Sequence, residues 1–115
     1  MKDFESKFTV NDTEYPLVFN LNVMEEIQDE YGTIDKWGSL TDGSQGEPNA
    51  KAVIFGFTAM INEGIDIENE KNNTERKALT RRQVGRIITE YGLLEVTKIM
   101  NNTVIESTKS NEKNA

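Results

Sequence analysis

The chain opens with a period of two. Phe8 and Val10, then Tyr15, Leu17, Phe19 and Leu21, alternate with polar neighbours, which predicts strands over 7–10 and 15–21. Asn11-Asp12-Thr13 between them is turn chemistry, because Asn and Asp tolerate the left-handed backbone region. Pro16 has no N–H to give to a ladder and is expected at a sheet edge or a strand start. A two-stranded hairpin is marginal alone, so a helix must cover its apolar face.

The period then lengthens to that of a helix. Val23, Met24, Ile27 and Tyr31 form one stripe, with the helix start expected near Asn20 or Asn22. Asn22 and Glu25 have capping-box spacing, and Gly32 is the expected stop. A short helix over 35–40 follows, with Trp37 as a buried anchor. TDGSQGEP, residues 41–48, is a breaker-rich loop. The next helix is expected over about 48–63, with Pro48 in its first turn and Gly64 at its end. Its core face is Val53, Ile54, Phe57, Met60 and Ile61. Gly56 in mid-helix costs about 1 kcal/mol against alanine, which points to close packing on another helix. Residues 65–79 are polar and expected as an exposed loop.

Thr80 with Gln83 has the pattern of a capping box for a helix that turns Val84, Ile87, Ile88 and Tyr91 inward. Gly92 breaks it. The last helix carries Leu93, Val96, Met100 and Val104 on one side, flanked by Leu94, Ile99 and Ile105. The expected architecture is α+β and mostly α-helical: an N-terminal β-hairpin packed on about four helices. A single domain is expected over 1–106, with a disordered C-terminal tail over 107–115, where STKSNEKNA has nothing to bury.

Composition narrows the chemistry. With no cysteine there is no disulfide or thiolate, and with no histidine the usual general base and commonest metal ligand are missing. Paired acids such as Glu25 and Glu26 read as a solvated face rather than a catalytic pair, which needs two carboxylates in different environments. No phosphate-binding glycine loop or calcium loop is present, and no apolar run reaches the roughly 18 residues of a membrane span. A soluble intracellular protein without cofactor or metal is the expectation.

Charge is unevenly distributed. Residues 1–70 carry 4 basic and 15 acidic side chains, net −11, and residues 71–115 carry 9 basic and 5 acidic, net +4, within a total of −7. The acidic majority disfavours general nucleic-acid binding, which depends on neutralising phosphates. The cluster Arg76, Lys77, Arg81, Arg82 and Arg86 has three readings: pairing with the acidic first half, docking an acidic partner, or, least favoured for want of interleaved aromatics, nucleic acid. The last helix also has two readings. Apolar residues on more than one side fit either a central helix wrapped by its neighbours or a second face for a partner helix.

Three stretches carry a resemblance: LNVMEEIQDEYG after the hairpin, AVIFGFTAMINEG, and LTRRQVGRIITEYGLLEVTKIM. Across residues 7–106 they resemble the tail assembly chaperones of long-tailed phages and prophages of Gram-positive bacteria. These motifs are patterns of apolar and polar positions, not catalytic signatures. The resemblance implies a non-enzymatic protein that binds and solubilises the tape measure protein during tail morphogenesis. It implies action in the host bacterial cytoplasm, absence from the mature virion, and no nucleic-acid or membrane partner. It leaves room for tail tube protein as a second partner through a frameshifted longer form, and for weak self-association. Arg82, Arg86, Leu93, Val96, Ile99, Met100 and Val104 are the candidate partner-binding residues. Two other readings stay open: a structural phage tail or head-completion component, and a small acidic regulatory binding module.

Overall fold

A computed structural model describes residues 4–113. It is α+β. Strands β1 (Phe4–Val10) and β2 (Thr13–Phe19) form an antiparallel hairpin, packed on helices α1 (Leu21–Tyr31), α2 (Ile34–Thr41), α3 (Ala50–Asn72), α4 (Arg81–Tyr91) and α5 (Leu93–Lys113). Val10 faces Thr13 across a loop of Asn11 and Asp12, with φ of 50° and 65°. Positive φ at both positions is what a two-residue type I′ hairpin requires, so the turn fixes the register. Phe8, Tyr15, Leu17 and Phe19 share one face of the sheet.

The second strand stops two residues short of expectation because Asn20 ends it. The Asn20 side chain accepts from the Asn22 and Val23 amides and so caps α1. Leu21 therefore starts a helix, 65% exposed, instead of ending a strand. Asn22 lies inside α1 and does not form the expected capping box; its amide donates to Glu63 Oε2 at 2.9 Å. Gly32 closes the helix at φ 90°. Thr33 caps α2, which places Trp37 at 1% exposure.

Helix α3 is the centre of the fold and departs most from the sequence reading. It is capped by Asn49, whose side chain accepts from the Ala52 amide, so Pro48 sits ahead of the helix and not in its first turn. It also continues through Gly64 to a left-handed Asn73. Gly64 does not stop the helix. A Cβ there would lie 2.8 Å from Pro16 Cβ, so the glycine lets β2 approach the helix backbone. Pro16 itself is buried mid-strand, opposite Lys7. Its missing N–H breaks no ladder because β2 is an edge of a two-stranded sheet. Beyond Gly64, Ile65 continues the Phe57–Ile61 stripe and is buried, so only 73–79 of the expected 65–79 loop lies outside a helix.

Gly56 makes the close contact that its helix-weakening position suggested. The Trp37 indole lies on it and donates Nε1–H to Ala52 O at 2.9 Å. Truncating a buried tryptophan costs about 3–5 kcal/mol, against about 1 kcal/mol of helix propensity lost to one glycine. Packing therefore outweighs propensity here.

The capping box at Thr80 and Gln83 is present, with both reciprocal bonds, and Gly92 separates α4 from α5 at φ 108°. Helix α5 crosses both strands. Ser6 and Thr103 hydroxyls meet at 2.9 Å, and Ser107 donates to Phe19 O at 3.1 Å. Ser107 is fully buried, and the helix runs on to Lys113, past the residue 106 boundary expected for the domain. Residues 114–115 of the expected tail lie outside the described residues. Phe8 is the hub of the aromatic core, with ring centroids 5.0 Å from Phe57 and 5.4 Å from both Tyr15 and Tyr91. Among the described residues, no helix is long and apolar enough to cross a membrane.

Replacing Gly56 or Gly64 with alanine should destabilise the protein by about 2 kcal/mol each, because overpacking exceeds the helix gain. Gly38 in α2 faces open space, and Gly38→Ala should stabilise by roughly 0.5–1 kcal/mol. Urea denaturation of the three variants checks both signs.

Candidate functional site

Two concave surfaces flank α3. The first is a polar cleft of about 400 Å³, walled by α1, α3 and the 74–80 segment. Asparagines two helical turns apart build it. Asn62 donates to Leu79 O at 2.9 Å and accepts from its N–H at 2.8 Å. Asn69 does the same with Arg76, at 2.8 and 3.0 Å. Each amide thus imitates a strand neighbour and holds the irregular segment antiparallel along the helix. Arg76 then reaches the hairpin: its guanidinium donates to Glu14 O at 3.0 Å and lies 5.1 Å from the Tyr15 ring centroid.

Glu26, Glu63 and Asp66 line one side of this cleft, and Arg76 and Arg81 line the other. Glu63 accepts from the Asn20 and Asn22 amides at 2.7 and 2.9 Å. Glu26 has a raised pKa, first from partial desolvation, then from the charges of Glu63 and Glu25. Thr58, which lines the cleft, has its Oγ1 buried without a protein partner, and the Tyr31 Oη is also buried and unpartnered. The phenol of Tyr31 is held above its usual range by burial and by the Glu30 charge.

The second surface is an apolar groove between α3 and α4. It consists of two adjoining depressions of about 490 and 380 Å³ that share Ile54, Gly85 and Thr89. Val53, Ile54 and Ile88 form its floor, Leu93 closes one end, and Arg81, Arg82 and Arg86 stand along its rim. The groove exists because residue 85 has no side chain: a Cβ there would meet only Ile54 Cδ1, at 3.8 Å. A third depression, between α1, α2 and α5, is lined by Met24, Ile34, Val104 and Ile105 with Asp35 and Lys109 at its edges.

The candidate residues separate on this geometry. Val96 and Met100 are at 0% exposure in the core, so neither can present a surface. Ile99 and Val104 are half-buried and pack against that core. Leu93, with Arg82 and Arg86, belongs to the α3–α4 groove. Helix α5 buries one stripe, Val96, Met100, Thr103 and Ser107, and is covered on that side, not wrapped all round. What stays outside is Leu93, Leu94 and Ile105, at 38, 64 and 59% exposure.

The two halves of the chain do not pair. Among the described residues, the ion pairs are Lys7–Glu14, Lys7–Glu68, Lys51–Glu30, Lys98–Glu95 and Lys109–Glu106, and none joins residues 1–70 to 71–115. None involves an arginine. Arg76 is absorbed by the hairpin, which leaves Arg81, Arg82 and Arg86 as an exposed basic edge. Sequence reasoning assigned Ile54 to the core and did not single out Gly85. The signal for both was a glycine one residue past Val84 on an otherwise strong amphipathic helix.

Asn62→Ala should remove both bonds to Leu79 and destabilise by about 1–3 kcal/mol, with the Leu79 amide exchanging faster than amides of the hairpin. For Glu26 the sign follows from a raised folded-state pKa. Its stabilising contribution is present below the unfolded carboxylate value and is lost as pH rises through the folded one. Glu26→Gln should therefore raise the melting temperature at neutral pH, and the difference should vanish below about pH 4. No family model matches the chain, and neither a curated protein nor a solved structure was found to match it.

Proposed function

We propose that this protein is a phage tail assembly chaperone: a non-enzymatic binding protein that holds the tape measure protein soluble in the bacterial host until tail tube subunits displace it. It would then be absent from the mature virion. The observation that carries the reading is the α3–α4 groove, an apolar trough on the outside of the domain with arginines along its rim. The resemblance over residues 7–106 supplies the partner. An open apolar trough on a small acidic domain suits transient binding of an aggregation-prone helical chain. Moderate affinity suits a chaperone, because the partner is stabilised by mass action and still released to a competitor.

Co-expression tests the reading. With the tagged full chain present, the long helical protein encoded beside it should move from the pellet into a soluble complex, with little or none soluble in its absence. A partner that stays insoluble, together with this chain in purified virions, would instead favour a structural tail or head-completion component.

A further inference from the structure

Three guanidinium groups line the α3–α4 groove, and no carboxylate does. Arg82 and Arg86 are one helical turn apart on α4, both exposed, and among the described residues neither makes an ion pair. Arg81 stands at the α4 N-terminus, where the helix dipole adds to its positive charge. Three unpaired cations beside an apolar floor repel one another and draw in negative charge. The depression between α1, α2 and α5 lacks this bias, since Asp35 and Lys109 offset each other.

The shape narrows the ligand further. The groove lies between two helices whose backbone groups bond within their own turns, so no free strand edge is offered to an extended peptide. Helix α4 has 11 residues, giving a trough of about 16 Å, or about three helical turns. Ile54 and Ile88 lie in its floor and Leu93 at its end, a run that suits apolar anchors at i, i+3 or i+4, and i+7 of a docked helix. We propose that this groove holds an acidic amphipathic helix of the partner protein, with its apolar face on Ile54 and its carboxylates paired with Arg82 and Arg86. This rests on the chaperone reading for the partner's identity and adds where, and through which chemistry, it is held. Arginine suits the role, because its planar fork engages a carboxylate through two hydrogen bonds.

The same co-expression with the full chain tests it, using two kinds of variant. Gly85→Leu fills the groove at a position where only Ile54 Cδ1 is near, and Arg82→Glu with Arg86→Glu inverts the rim at exposed sites. Ile105→Asp is the control in the other depression. Each variant is first shown to melt cooperatively, and the double arginine variant remains informative should Gly85→Leu not fold. The expected result is at least a tenfold loss of co-purified partner for both groove variants and none for the control. Benzoylphenylalanine at Thr89 should cross-link to partner segments with apolar helical spacing and an excess of Asp and Glu. Wild-type solubilisation that survives both groove changes overturns the groove while leaving the chaperone reading intact. Cross-links to basic or non-amphipathic segments overturn the acidic helix. Oligomers of the protein alone that Gly85→Leu dissociates would make a second copy the occupant, which also overturns it. Failure of the wild type to solubilise the partner removes the chaperone reading, and this proposal with it.

Discussion

Everything in this fold depends on how closely other elements can approach α3. Gly56 and Gly64 lie about two turns apart on that helix, and each admits something that a methyl group would keep out. At Gly56 it is the Trp37 indole, and at Gly64 the Pro16 ring on β2. One contact seats α2, and the other brings the hairpin against the helix. The hairpin in turn presents Phe8 to Phe57 and Tyr91, which gives α4 its position. The groove beside α4 is thus a remote product of two absent side chains on α3, and of a third absent side chain, Gly85, on α4 itself.

Charge contributes little to holding these elements together. The ion pairs are exposed at one or both partners and loosely spaced, the kind that contributes about 0–1 kcal/mol each. Cohesion comes from a closed apolar core and from amide and hydroxyl groups placed singly: Asn62 and Asn69 on the 74–80 segment, Thr103 and Ser107 on the hairpin. The basic second half is then not committed to internal pairing. An acidic protein with a local basic edge meets its partners with opposite signs on different faces, and that favours orientation over general stickiness.

The sequence made the local signals legible and the tertiary ones hard to read. The hairpin turn, the Thr80 capping box and the stops at Gly32 and Gly92 depend on neighbours a few residues away and were readable. Trp37 reads as an anchor from its size and apolar surroundings, although its contacts on α3 are distant in sequence. The second half of α3 was not readable. Gly64 looks like a helix stop unless Pro16 is known to lie against it, and Asn69 looks like loop chemistry unless the returning segment is in view. The α5 stripe was found, but not which of its apolar residues lie inside, because a helix wrapped by neighbours and one with a free second face have the same pattern; Val96 and Met100 are buried, and Leu93, Leu94 and Ile105 are not. Arg82, Arg86 and Leu93 were named as candidates, yet the groove that unites them is created at Gly85, where there is no side chain to read.

The hydroxyls of α5 bear on how the chain is made. Ser6 meets Thr103 across 97 residues, and Phe19 meets Ser107 across 88. Within the domain the hairpin is made before every helix, and α5, which covers it, is made after the other four. During synthesis, the sheet face carrying Phe8, Leu17 and Phe19 has α3 before it has α5, so the domain cannot close until α5 has emerged. The hairpin therefore keeps one face open while α1 to α4 are made. Folding then becomes a single late event set by the arrival of the C-terminal helix.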